Sequence, residues 1–169
     1  MLIRNIILCG FMGCGKTTVG GLLADMTGRR FVDMDSFIEK HSGMPVSQIF
    51  SEYGEEAFRM RERQACIQLA SQEGLVIAAG GGALTFQVNA DVLSKSGDIV
   101  FLDVPLDVIL KRLETDTSRP LLTGPDREKA SYQLYNRRLP LYRAAAGYVV
   151  DGNDTADRVA KRVTDALGI

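Results

Sequence analysis

Gly10-Phe11-Met12-Gly13-Cys14-Gly15-Lys16-Thr17 fills every fixed position of the pattern G-x-x-x-x-G-K-[ST]. Its neighbours are the ones that pattern needs. Ahead of it, Ile3 to Cys9 is a short apolar run rich in β-branched residues, as in a buried parallel strand; behind it, Thr17 to Thr27 carries apolar residues at helical spacing. Strand, glycine loop and helix in that order make a phosphate cradle. Gly10, Gly13 and Gly15 let consecutive N–H groups converge on an anion at a helix N-terminus. Lys16 adds a mobile positive charge for outer phosphates, and Thr17 a hydroxyl for Mg²⁺.

Composition narrows what such a cradle can serve. A chain of 169 residues suits a single domain with a sizeable core. Apolar residues make up 46% and charged residues 24%, and the formal net charge is −1, so no strong field is available to grip a nucleic acid. The longest apolar stretches, such as Ile6 to Cys9 and Leu75 to Ala79, are far too short to cross a bilayer, and no basic segment followed by an apolar one opens the chain. A cytoplasmic monomer with no membrane or nucleic-acid partner is expected. The three cysteines lack metal-type spacing, which argues for free thiols in a reducing compartment. Cys9 and Cys66 read as core residues, and Cys14 as filling a position of the phosphate loop.

Apolar runs alternate with helical segments along the chain, the pattern of βαβ units around a parallel sheet. Five strands are predicted, at Ile3–Cys9, Arg30–Asp33, Leu75–Ala79, Ile99–Leu102 and Tyr148–Val150. The helix after the loop should bury Val19, Leu22, Leu23 and Met26 and stop at Gly28. Asp33 and Asp35, at the carboxyl end of the second strand, should emerge beside the loop, where ligands of open α/β sheets collect. The reading is one domain over 1–169, with a core of 1–33, 72–113 and 126–169. A helical insertion at about 34–71, broken at Gly43-Met44-Pro45 and at Gly54, would cover the sheet edge as a substrate cap.

Several side chains stand out. On a long helix beginning near Glu55, Arg59 and Glu62 can pair at i,i+3, although taken alone this charged side reads as a solvated face. Gly80-Gly81-Gly82 at a strand end would let backbone approach a ligand closely. Pro105 should open a helix at its first position, running to Leu113. Thr115 to Pro125, with Arg119 near its middle, reads as a lid over about 114–125. Arg138 lies in an otherwise apolar and aromatic stripe with Leu134, Tyr135 and Tyr142, where it either meets an anion or snorkels along the tyrosines. The last helix should show Val159, Ala160, Val163, Ala166 and Leu167 on one face. Lack of an N-K-x-D motif favours ATP over GTP.

Taken together, the loop, Phe31-Val32-Asp33-Met34-Asp35, Ile49-Phe50, Gly54-Glu55-x-x-Phe58-Arg59, Gly80-Gly81-Gly82, Arg119-Pro120-Leu121-Leu122 and Arg138-x-Pro140-Leu141-Tyr142 resemble shikimate kinases in order and spacing over nearly the whole chain. The resemblance implies a three-layer α-β-α fold of the P-loop nucleoside-monophosphate-kinase type, with sheet order 2-3-1-4-5. It implies transfer of the ATP γ-phosphoryl group to the 3-hydroxyl of shikimate, on the chorismate route to aromatic amino acids. By that pattern Gly13, Cys14, Gly15, Lys16, Thr17, Thr18, Arg112 and Arg119 would hold ATP, and Thr17 and Asp33 would serve Mg²⁺. Asp35, Arg59, Gly80, Gly81, Gly82 and Arg138 would hold shikimate, with Lys16, Asp35 and Arg119 catalytic. Gly20-Gly21 depart from the family, which more often has an arginine there, and weaken the first helix. Two other functions fit a P-loop chain of this size, a gluconate kinase and a non-catalytic nucleotide switch. The second would leave the lid and carboxylate residues dispensable, and the presence of Lys16, Thr17, Asp35 and Arg119 together argues against it.

Overall fold

The strand that leads into the glycine loop, β1 (Asn5–Cys9), is buried at every residue and paired on both edges. A computed structural model describes residues 3–114 and 125–169. Its other strands are β2 (Arg30–Asp33), β3 (Leu75–Ala78), β4 (Gly97–Asp103) and β5 (Tyr148–Asp151), all parallel, in the order β2-β3-β1-β4-β5. That is the order the family resemblance implies. Between the strands run α1 (Lys16–Thr27), α2 (Met34–Ser42), α3 (Val46–Ala70), α4 (Gln87–Ser96), α5 (Leu106–Leu113), α6 (Arg127–Ala145) and α7 (Ala156–Leu167).

Right-handed crossovers decide which face each helix covers. The step from β1 out to β2 runs one way along the sheet, and the steps β2 to β3, β3 to β4 and β4 to β5 run the other way. Helix α1 therefore lies on the face opposite α3 and α4, and α7 packs beside α1. Both faces of the central strands are covered, which is why β1 and β3 read as continuous apolar runs. Asn5 is the polar exception. Its Oδ1 accepts the Leu75 N–H at 2.9 Å and its Nδ2 donates to the Gln72 carbonyl at 2.8 Å, so a buried amide ties β1 to the start of β3.

Boundaries shift by a residue or two from the predicted ones, as with Pro105, which sits just before α5 in an extended conformation and not inside its first turn. Helix α1 corrects a larger expectation. Val19 and Leu23 are buried as predicted, but Met26 is 53% exposed, and Gly20 and Ala24 complete the packed side. On α7, Ala166 is exposed and Thr164 is buried in its place. The chain bends where glycine and proline predicted breaks: Gly43 ends α2, Pro45 precedes α3, and Gly54 (φ 84°, ψ 172°) kinks α3. Residues 115–124 of the expected lid, Arg119 included, lie outside the described residues.

Gly20 does more than weaken a helix. A Cβ there would meet Cε2 of Phe31 at 2.5 Å, so the ring of β2 lies directly on the α1 backbone; at Gly21 no atom lies within 4 Å of such a Cβ. Alanine at the two adjacent positions should therefore act in opposite directions. Gly21→Ala should stabilise by about 0.5–1 kcal/mol through helix propensity, and Gly20→Ala should destabilise by roughly 1–3 kcal/mol through overpacking. Urea unfolding of the two variants checks this, and midpoints shifted in the same direction would refute it.

Candidate functional site

The glycine loop leaves β1 and turns back on itself to start α1. Gly13 (φ 81°) and Gly15 (φ 99°) hold left-handed backbone there, which side chains disfavour. Helix α5 lies over the turn, with Leu113 Cγ 3.0 Å from where a Gly13 Cβ would sit and Arg112 Nη1 donating to the Gly13 carbonyl at 3.3 Å. Lys16 is 9% exposed, and its ammonium donates to the carbonyls of Gly10 (2.7 Å) and Phe11 (3.2 Å). Thr17 Oγ1 donates to Asp33 Oδ2 at 2.9 Å, while Asp33 Oδ1 accepts the Ser36 N–H at 3.0 Å and caps α2. A hydroxyl and an oriented carboxylate side by side at the mouth of a phosphate loop are the hard oxygen donors Mg²⁺ takes, so the residues fit that ion. Cys14 is buried beside Lys16; Cys9 and Cys66 lie in the core, with burial pushing both thiols up to about 12.

A second cleft opens next to the first. The phosphate-loop cleft is lined by Gly15, Lys16, Thr17, Thr18, Asp33 and Gly80 among others, and the second by Val46, Phe50, Phe58, Arg59, Glu62, Gly82 and Arg138. Met12, Asp35 and Gly81 line both. Asp35 stands in the first turn of α2, where the helix dipole favours a carboxylate, and its Oδ1 lies 3.1 Å from where a Gly80 Cβ would be. The glycine run is thus a floor that admits side chains on each residue: Glu62 and Asp35 at Gly80, Arg138 at Gly81, Arg59 at Gly82.

The charges of this cleft are held out of water. Glu62 is 1% exposed and accepts from Arg59 Nη1 at 2.8 Å, correcting the solvated reading for this pair, whereas Arg63 on the same helix is exposed. Arg138 is 5% exposed. Burial lowers its pKa and the nearby Arg59 charge lowers it further, while Tyr142 opposes the shift. Two guanidinium groups facing one dry cleft repel each other, and an anion between them would relieve both. Tyr142, itself buried with its pKa raised by that burial, donates its hydroxyl proton to the Gly81 carbonyl and stacks on Phe101.

The family model for shikimate kinase matches residues 12–168. The chain belongs to the shikimate kinase family. A shikimate kinase of Halorhodospira halophila is 42% identical over 164 residues, covering 96% of this chain and 93% of that one. Among solved structures, a shikimate kinase from Acinetobacter baumannii in complex with shikimate superposes with a TM-score of 0.94 at 39% identity, covering 98% of this chain and 93% of that one. A gluconokinase from Sinorhizobium meliloti reaches a TM-score of 0.66 at 19% identity, over 99% of this chain and 93% of that one, a likeness of fold alone.

Of the residues picked from sequence for this family's site, those among the described residues gather around the two clefts, Arg112 reaching the glycine loop from α5. Asp154, just before α7, is paired with Arg162 at 2.6 Å and with Arg158 at 3.5 Å. Glu62, Phe58, Phe50 and Val46 line the second cleft without having been singled out as site residues. The signal that could have found Glu62 was its i,i+3 spacing from Arg59 next to an aromatic residue. Glu62 Oε2 has no hydrogen-bond partner among the described residues, and burial raises the Glu62 pKa despite the Arg59 pair.

A carboxyl whose folded pKa lies above its unfolded value of about 4.3 holds its proton longer when folded, so it loses stability as pH rises through the folded value. The stability of the parent relative to Glu62→Gln, whose amide does not titrate, should therefore decline as pH rises from about 4.3. Paired thermal melts from pH 4 to pH 8 check the sign. A difference that stays flat or grows with pH would show the Arg59 pair outweighing burial.

Proposed function

We propose that this chain is a shikimate kinase in activity as well as in family: it moves the γ-phosphoryl group of ATP to the 3-hydroxyl of shikimate, giving shikimate 3-phosphate and ADP. The observation that carries the reading is the meeting of the two clefts at Asp35, one walled by a phosphate loop with Lys16 and the other holding two buried arginines. Shikimate offers one carboxylate and three hydroxyls. Its carboxylate suits Arg59 and Arg138, whose forked N–H groups match two oxygens, and that orientation turns the 3-hydroxyl toward Asp35. The relative solved with shikimate bound supports the choice of acceptor.

In the step itself, the shikimate 3-oxygen forms a bond to the γ-phosphorus as the bond from that phosphorus to the β–γ bridging oxygen breaks. ADP leaves with that electron pair, and the hydroxyl proton passes to Asp35. The transition state is loose, so positioning and charge neutralisation weigh more than the strength of the base. Lys16 answers the charge growing on the departing phosphates, and Arg119, by the family pattern, serves the transferring group. Mg²⁺, held through Thr17 and Asp33, supplies charge neutralisation on the phosphate oxygens when bound. Gly13, Cys14, Gly15, Thr18 and Arg112 complete the ATP side, and Gly80, Gly81 and Gly82 the shikimate side. We take the chain as a monomeric domain whose segment 34–71 serves acceptor binding. No helix among the described residues is long and apolar enough to cross a membrane. Three buried free thiols support the cytoplasm as its compartment.

Coupled ADP release with shikimate, gluconate or AMP as acceptor tests the reading. Shikimate should be turned over and the other two not; turnover of gluconate instead would overturn it, and no ATP turnover at all would favour the switch. Variants then separate the two sites. Arg59→Ala and Arg138→Ala should chiefly raise the KM for shikimate, by roughly 30-fold or more if truncation of a buried charge pair costs about 2–5 kcal/mol. Arg119→Ala and Lys16→Ala should chiefly lower kcat. Collapse of ATP binding in Arg59→Ala or Arg138→Ala, with shikimate affinity kept, would mean that the sites are reversed.

A further inference from the structure

Arg59 is held in a way that hydrogen bonds alone do not explain. Nη1 meets Glu62 at 2.8 Å and Nη2 reaches Glu55 at 3.4 Å, but Nε is buried with no hydrogen-bond partner among the described residues. Apolar and aromatic groups close in on the rest. The guanidinium carbon stands 5.3 Å from the ring centroid of Phe58 and 5.6 Å from that of Phe86, both within cation–π range. Phe58 is its chain neighbour on α3 and is buried. Phe86 comes from another part of the fold and is 44% exposed, an aromatic ring at the surface that the packing of the core does not require.

What places Phe86 there is a tight turn rooted in the glycine run. A Cβ on Gly82 would fall 2.5–2.8 Å from the guanidinium atoms of Arg59, so the backbone passes directly against that group. The next three residues, Ala83–Thr85, form one short 3₁₀ turn with Ala83 and Leu84 buried. Thr85 Oγ1 donates to the Gly82 carbonyl at 2.6 Å, and the buried Asn89 Nδ2 donates to the Ala83 carbonyl at 2.9 Å. The turn is thus fastened at both ends. Phe86 follows it as the residue before α4 and brings its ring back to the group that Gly82 touches.

We propose that Phe86 is a positioning residue for the acceptor site: its ring fixes the orientation of the Arg59 guanidinium. The physical reason lies in the shape of that group, which is weakly hydrated over its flat faces and donates only from its edge. A ring over a face restrains the plane without competing for the N–H groups that an acceptor carboxylate would use. Another hydrogen-bond acceptor in that position would consume them. Without the ring, the side chain regains rotamer freedom that must be lost again on each binding event, and that loss appears as weaker acceptor affinity.

The proposal rests on the reading that Arg59 grips the shikimate carboxylate, and the test separates the two. Shikimate affinity is measured by calorimetry, and KM and kcat by ADP release, for Phe86→Leu, Phe86→Tyr, Arg59→Ala and Phe86→Leu with Arg59→Ala. From the strength of a partly exposed cation–π contact, Phe86→Leu should weaken shikimate binding and raise KM roughly two- to fivefold. Its kcat, ATP affinity and thermal midpoint should match the parent. Phe86→Tyr keeps the ring face and should bind as the parent does, and in the Arg59→Ala background Phe86→Leu should add nothing. Parental affinity in Phe86→Leu beside a large loss in Arg59→Ala would overturn this proposal and leave the acceptor reading standing. The same factor persisting in the Arg59→Ala background, or a fall in kcat or thermal midpoint, would also overturn it. Unchanged shikimate affinity in Arg59→Ala would remove the acceptor reading and this proposal together.

Discussion

A strand buried on both faces and paired on both edges can meet a ligand only at its end. In this chain that strand is β1, and the rest of the molecule follows from its isolation. All sequence capable of chemistry must converge on one rim of the sheet, where β1 gives way to the glycine loop, β2 delivers Asp33 and β3 delivers Gly80. Parallel pairing puts the carboxyl ends of these strands side by side, so residues far apart in sequence become neighbours without any special loop. Thr17 and Asp33, 2.9 Å apart, are the plainest instance.

Beside that rim the molecule accepts an electrostatic cost. Arg59 and Arg138 share one cleft, and Glu62 lies buried next to Asp35 near Gly80. None of these groups stabilises the fold as an apolar residue of similar volume would. Their arrangement makes sense as a preformed shell for an anionic, hydroxylated molecule, with the reorganisation completed at folding and not at binding. The glycine run allows this crowding, because each missing Cβ leaves room for a polar side chain against the backbone.

Much of this was legible in the chain. The five strands, their parallel arrangement and the helix following the loop came from apolar runs and glycine placement, signals that report backbone requirements directly. Where periodicity failed, tertiary packing had reversed it. Helix α4 went unread because it buries Asn89, bonded to a carbonyl of the preceding turn, and leaves Val88 46% exposed, opposite to the usual pattern. Met26 was misplaced because α1 packs through Gly20 against Phe31 and also buries Ala24, which no hydrophobicity pattern marks. For Arg59 and Glu62 the sequence supplied the pair but not its burial. That depends on later parts of the chain, Gly80 lying against Glu62, and Gly82 and Phe86 against Arg59.

The contact between Gly20 and Phe31 reaches beyond stability. Phe31 lies two residues before Asp33 on a four-residue strand, and Gly20 lies three residues after Thr17 on α1, so one steric contact joins the two elements that carry the oxygen donors. A larger side chain at position 20 would press the Phe31 ring away from α1, and a smaller one at position 31 would make room for it. The two positions share one volume, so the cost of a change at either depends on the residue at the other.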